Sequence, residues 1–129
     1  MTKEVKSYKD LQYWKFGMEL VLIIYKLTEK FPKSEIFGIT SQIRRASVSI
    51  PANIAEGYRR GSRKDYRLFL TYSFGSGAEV ETYLDLCLQL NYITKDEFAV
   101  AISKLEQIMK MLNVTIRKLT TPYSPQTTP

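Results

Sequence analysis

Four stretches of helical apolar spacing, each bounded by a capping residue, a glycine or a proline, predict an all-α chain. Short connections between those stretches, and the lack of any run with strand alternation, point to an antiparallel up-down four-helix bundle with a kinked second helix. The expected plan is a basic flexible N-terminal arm over 1–9, the bundle domain over 10–119 and a Pro/Thr-rich disordered tail over 120–129.

The first helix is expected from Asp10, as N-cap, to about Lys30, with Pro32 as the stop. Leu11, Trp14, Met18, Val21, Leu22 and Tyr25 form one apolar row, and Leu20, Ile23, Ile24 and Leu27 fill a second. Apolar residues on nearly every side require burial on nearly every side. Either this helix is central to its own bundle, or a second chain covers the excess.

The second helix is expected over 37–60, with Ile39, Ile43, Ala46, Ile50, Ile54 and Tyr58 in period and Pro51 inside it. An interior proline loses one hydrogen bond and clashes with the carbonyl four residues back, at ~3 kcal/mol. A kink is favoured over a break because the apolar period runs through, with Ser47 or Ser49 placed to satisfy freed backbone. Ala46, Ser47, Ser49, Ala52, Ala55 and Gly57 would let a neighbouring helix approach closely.

Gly61 marks a turn, and Ser62 followed by Asp65 opens the third helix, which is expected to reach about Leu90. Its inward residues should be Tyr66, Phe69, Leu70, Ser73, Val80, Leu84, Cys87 and Leu88, with Gly75 and Gly77 marking a close helix contact. Thr94 with Glu97 forms a capping box for the fourth helix. There Phe98, Ile102, Leu105, Met109, Leu112, Ile116 and Leu119 alternate in fours and threes.

Composition narrows the chemistry. The 129 residues include no His and one Cys, which rules out an imidazole triad, a His metal ligand, a zinc knuckle and an intrachain disulfide. No GxxxxGK[ST] loop is present, so P-loop nucleotide hydrolysis is excluded. The longest apolar-rich run, Met18 to Leu27, is about half the ~20 residues of a membrane span, and no signal peptide is evident. A soluble cytoplasmic protein without membrane partner, cofactor, metal or catalytic residues is expected.

Charge is concentrated. Of 19 Lys and Arg against 13 Asp and Glu, the window from Arg44 to Arg67 holds seven cations and two anions. Helix rise places Arg44 and Arg45 roughly 22–26 Å from the turn at Gly61, level with Glu79 and Glu81. Those two arginines are read first as partners in interhelical or intersubunit ion pairs with these carboxylates and second as additional basic contacts. Arg59, Arg60, Arg63, Lys64 and Arg67 crowd one end of the bundle and are the candidate nucleic-acid-binding residues. Cations in the first turn of a helix oppose its dipole. A phosphate held by backbone amides and arginines would explain them, and a solvated basic turn is the alternative.

Other features carry weaker readings. Lys3, Lys6 and Lys9 make either a basic arm or a solvated tail, and Tyr8, Tyr13, Tyr58 and Tyr66 are either base-stacking or core residues. Glu79, Glu81 and Asp85 are the only carboxylate cluster suited to Mg²⁺, although Arg44 and Arg45 are the simpler partners. Cys87 lies on an apolar face as a buried thiol.

The stretch SQIRRASVSIPANIAEGYRR over 41–60 resembles the signature of the small bacterial proteins first noticed as reading frames in intervening sequences of 23S ribosomal RNA genes. The resemblance continues through DLQYWKFGMELVLIIYKLTEKFP, SRKDYRLFLTYSFGSGAEVETYLDLCLQLNYI and most of the fourth helix. It implies a four-helix bundle assembled as a cyclic homo-oligomer, a pentamer, with a basic surface and suspected nucleic-acid binding. That family is similar in fold to the accessory variability proteins of diversity-generating retroelements, which bind a reverse transcriptase and RNA. The resulting expectation is a non-enzymatic oligomer that binds nucleic-acid backbone, RNA favoured, at the turn between helices two and three. The alternative is a scaffold for a nucleic-acid enzyme such as a reverse transcriptase, and a weaker third is a metal enzyme using the carboxylates of helix three.

Overall fold

A computed structural model describes residues 4–121, which form four long helices and two 3₁₀ turns, with no strand among the described residues. The helices are α1 (Gln12–Thr28), α2 (Ile39–Arg60), α3 (Arg63–Gln89) and α4 (Lys95–Thr120). Each packs on two neighbours in the order α1, α2, α3, α4 and back to α1, so the chain runs up and down around one core. That core is built from Leu20 and Ile24 of α1, Ile43, Ile50 and Ile54 of α2, Leu70, Val80 and Leu84 of α3, and Leu105, Ile108 and Leu112 of α4. From residue 122 on, the expected disordered tail lies outside the described residues.

The start of the bundle differs from expectation. Asp10 does not cap α1: its carboxylate accepts from the Lys6 and Ser7 amides and closes a capping box around the 3₁₀ turn Tyr8–Asp10, while Leu11 is the N-cap of α1. The last residues of the expected flexible arm are therefore folded, and Tyr8 stands edge-on to Trp14 at 5.4 Å.

In α1 the buried row is Tyr13, Gly17, Leu20, Ile24 and Thr28. Of the other row, Met18, Leu22 and Tyr25 remain exposed, Leu22 to 69%. One side only is central to this bundle.

Helix α2 runs unbroken through Pro51. Ser47 and Ser49 do not serve the carbonyl that proline frees; their hydroxyls donate to the carbonyls of Arg44 and Arg45 at 2.9 and 3.0 Å. Pro51 instead packs where Gly17 of α1 leaves room, 3.4 Å from where a Cβ would stand. The buried Ser73 hydroxyl of α3 donates to the Ile50 carbonyl at 2.8 Å, tying the two helices at mid-length.

Gly61, at φ 82°, takes the left-handed conformation that ends α2 and lets α3 begin two residues later. Ser62 caps α3 by accepting from the Asp65 amide, and the Thr94–Glu97 capping box opens α4 as expected. Lys30 binds Glu97, and this hydrogen bond from the turn after α1 is the largest cause holding the Glu97 carboxyl below its usual range.

One inward row and one glycine contact need correcting. In α4 the deepest residues are Ala101, Leu105, Ile108 and Leu112, while Phe98, Ile102, Met109, Ile116 and Leu119 flank the core. In α3, Gly77 does mark a close contact, with Met109, but Gly75 is exposed and faces nothing within 4 Å.

Cys87 is fully buried, and burial pushes its thiol up to about 11. The thiolate is the reactive form, so the native chain should resist a disulfide reagent at pH 8 and react fully once unfolded in guanidinium. Stoichiometric labelling within minutes under native conditions would contradict this packing. Because the folded thiol holds its proton more tightly, its contribution to stability is complete below the unfolded value near 8.5 and is lost as pH rises through about 11. No helix of the described residues is long and apolar enough to cross a membrane.

Candidate nucleic-acid interface

The end of the bundle that carries the turn at Gly61 also receives the C-terminus of α4 and the N-terminus of α1, because neighbouring helices run in opposite directions. Cutting the molecule where Gly77 meets Met109 puts 4–20, 47–77 and 109–121 in that half. It holds 11 Lys and Arg against 5 Asp and Glu, whereas the other half holds 7 against 8. The described chain is thus polarised, +6 at one end and −1 at the other.

All five candidate residues, Arg59, Arg60, Arg63, Lys64 and Arg67, lie at this positive end, but they are not equivalent. Arg59 lies over the ring of Tyr8, 5.5 Å from its centroid, so the folded N-terminal turn fixes its stem. Arg60 lies 4.8 Å over Phe69 and pairs with Glu56 at 2.9 Å, and that partner raises the guanidinium pKa.

Arg63 reaches away from its own helix. Its Nη2 donates to the carbonyls of Lys118 and Thr121 at 2.7 and 2.9 Å, at the C-terminal end of α4. The dipole that disfavours a cation at the start of α3 is offset by one that favours it at the end of α4. Arg63 is a fastener between two helix ends as well as a surface charge. Arg63→Gln should destabilise the chain by about 0.5–1 kcal/mol and fray the end of α4, as faster amide exchange over 116–120 would report. Unchanged exchange there would count against the fastening.

Lys64 and Arg67 are exposed, and neither side chain has an ion pair or hydrogen bond among the described residues. Arg117 and Lys118, in the last turn of α4, are also exposed, and their side chains are unpaired among the described residues. Neither was found in the sequence window, since they lie some fifty residues further along the chain. The signal for them was the up-down topology, which brings the last turn of α4 beside the first turn of α3.

The tyrosines divide in favour of packing. The Tyr13 and Tyr66 hydroxyls bond to each other inside the bundle end, and burial raises the pKa of both. Tyr58 meets Tyr66 edge to face at 6.1 Å. A groove of about 280 Å³ opens beside them between Gly57, Tyr58, Ser62, Arg63 and Leu119.

Within the chain, Arg44 and Arg45 do not pair with Glu79 and Glu81. Arg44 turns to α1, where its Nε donates to the Thr28 hydroxyl at 2.7 Å and its guanidinium lies 4.5 Å over Tyr25. Arg45 is exposed without a partner among the described residues, as are Glu79, Glu81 and Asp85. Arg44 thus faces α1 and not the carboxylates of α3. No group of three or more acidic, Cys or His residues able to hold a metal occurs among the described residues.

Fold and site together define a four-helix bundle with its positive charge gathered at one end. The chain belongs to the family of 23S rRNA-intervening sequence proteins, whose sequence profile matches residues 9–114. It is similar to a crystal structure of a protein of unknown function from the S23 ribosomal protein family of Bacteroides thetaiotaomicron. The two are 26% identical, with 81% of this chain and 95% of that chain covered and a TM-score of 0.75. No curated protein matches the chain.

Proposed function

We propose that this chain is a non-enzymatic homo-oligomeric bundle, pentameric by the family resemblance, that binds nucleic-acid backbone at its positive end, with RNA favoured. The observation that carries the reading is the polarisation itself. Charges that served only solubility would be spread over both ends, and here one end holds the whole excess. Lys64, Arg67, Arg117 and Lys118 are unpaired among the described residues and available to phosphates, and Arg59 is held on an aromatic ring, while Arg60 shares its guanidinium with Glu56. Nothing in the set is arranged to read base edges, so contact to phosphate without sequence preference is expected. Binding of a fluorescent single-stranded RNA across a salt series tests this: the logarithmic affinity should fall linearly with logarithmic salt, and a flat response would remove the proposal.

A second observation bears on assembly. Met18, Leu22 and Tyr25 on α1 leave an apolar strip open, and Val48 on α2 and Phe37, at 92%, are further exposed apolar side chains. Such a strip supports a covering partner, either another copy, which would repeat the basic end around a ring and add avidity, or an enzyme held by a scaffold. Light scattering separates these: a monomer of 15.0 kDa would leave only the scaffold reading.

A further inference from the structure

We propose a second binding site, for a phosphate-type oxyanion, at the corner where α1 gives way to α2. A cavity of about 150 Å³ there is lined by Thr28, Glu29, Lys33, Thr40 and Arg44 among others. It stands on different residues from the positive end: Arg44 and Arg59 are about 22 Å apart along α2 at 1.5 Å per residue.

Three features carry the assignment. Arg44 is already held: Thr28 fixes its Nε at 2.7 Å and Tyr25 stacks under its plane. Its Nη2 makes only a long contact, 3.5 Å, to the Tyr25 carbonyl, and no carboxylate pairs with it among the described residues. A guanidinium fixed at one edge and open at the other loses little freedom when an oxyanion arrives.

Thr40 is the second feature. Only 6% exposed, it lines the cavity, and its Oγ1 is the one buried side-chain oxygen or nitrogen among the described residues without a hydrogen-bond partner. Threonine in a helix divides between two χ1 rotamers, so the hydroxyl turns readily toward an acceptor in the cavity. Such an acceptor removes a standing penalty, because a buried hydroxyl without a partner is costly.

Charge is the third feature. Lys33 and Arg44 face the single carboxylate of Glu29, and Lys33 has no ion pair among the described residues. A tetrahedral anion with several oxygens can accept from the guanidinium, the ammonium and the hydroxyl at once. Free phosphate and a terminal phosphate monoester share that chemistry.

Titrating the full chain with inorganic phosphate in low-salt chloride buffer, followed by calorimetry and thermal unfolding, tests the site. One saturable phosphate per chain is expected. Thr40→Val should leave the unliganded melting temperature equal or higher, since it deletes an unsatisfied hydroxyl, yet weaken phosphate about tenfold. Arg44→Gln should abolish binding, and Thr40→Val keeps the test decisive if the arginine variant fails to fold. The pair Lys64→Gln and Arg67→Gln should bind phosphate as the parent does. Equal affinity in Thr40→Val, or no saturation, would overturn the site and leave the cavity to water.

Competition identifies the source of the phosphate. Displacement by a 5′-phosphorylated oligoribonucleotide and not by its 5′-hydroxyl twin assigns a terminal phosphate. Displacement by neither assigns the free anion. Equal displacement by both would overturn the proposal, because internal phosphodiesters would then be the ligand.

Discussion

Gly57→Ala is expected to lower the stability of the bundle by about 1–2 kcal/mol, while Gly75→Ala is expected to raise it by up to about 1 kcal/mol. In an isolated helix both exchanges stabilise, because alanine is the better helix former. The structure separates them. A Cβ on Gly57 would stand 2.7 Å from the Cβ of Phe69 and 3.4 Å from the Tyr66 carbonyl. Atoms so near the α3 backbone cannot swing aside, so α2 and α3 must part, and overpacking of this kind typically costs about 1–3 kcal/mol. At Gly75 an added methyl meets nothing within 4 Å. Urea midpoints with unchanged m-values would give both signs directly. Two stabilised variants would mean that the helices do not approach as closely as described.

The second large effect is on binding. Changing Lys64, Arg67 and Arg117 together to glutamine is expected to weaken single-stranded RNA about a hundredfold at ~50 mM salt and to flatten the log–log salt slope by about 2. These three are exposed and unpaired among the described residues, so their loss breaks no ion pair and should leave the unfolding curve nearly unchanged. A smaller control change at the other end, Arg45 with Lys95 to glutamine, removes two cations and should leave the slope within error. If both sets flatten it equally, binding follows net charge and the positive end has no special part.

Much of the fold could be read from spacing, and the misplacements have separate physical causes. In α4 the heptad count gave weight to Phe98, Ile102, Met109 and Ile116 and passed over two fully buried residues, Ile108, whose neighbour Met109 took its place in the count, and the small Ala101. Bulk marks the broad apolar side of a helix, but its central line is often drawn by small residues where helices come closest. The same holds for Gly17 and Thr28 in α1. Axial level was recoverable as well, since rise per residue is fixed, and it put Arg44 level with Glu79 and Glu81. Azimuth was not, because small errors in helix rotation separate a side chain on α2 that faces α1 from one that faces α3. Arg63 was illegible for a different reason: its partners are backbone carbonyls, which exist in every sequence and leave no mark in this one.

The uneven charge of the two ends makes each chain an electric dipole lying along the bundle axis. In the field of a polyanion such a body turns before it touches, so first encounters are end-on and the rate of productive collision rises as salt falls. Copies standing parallel to the axis of the proposed ring would point the same way, and their positive rims would repel one another. A strand of RNA lying across that rim would relieve the repulsion. Assembly and RNA capture would then be thermodynamically linked, each promoting the other by the same factor.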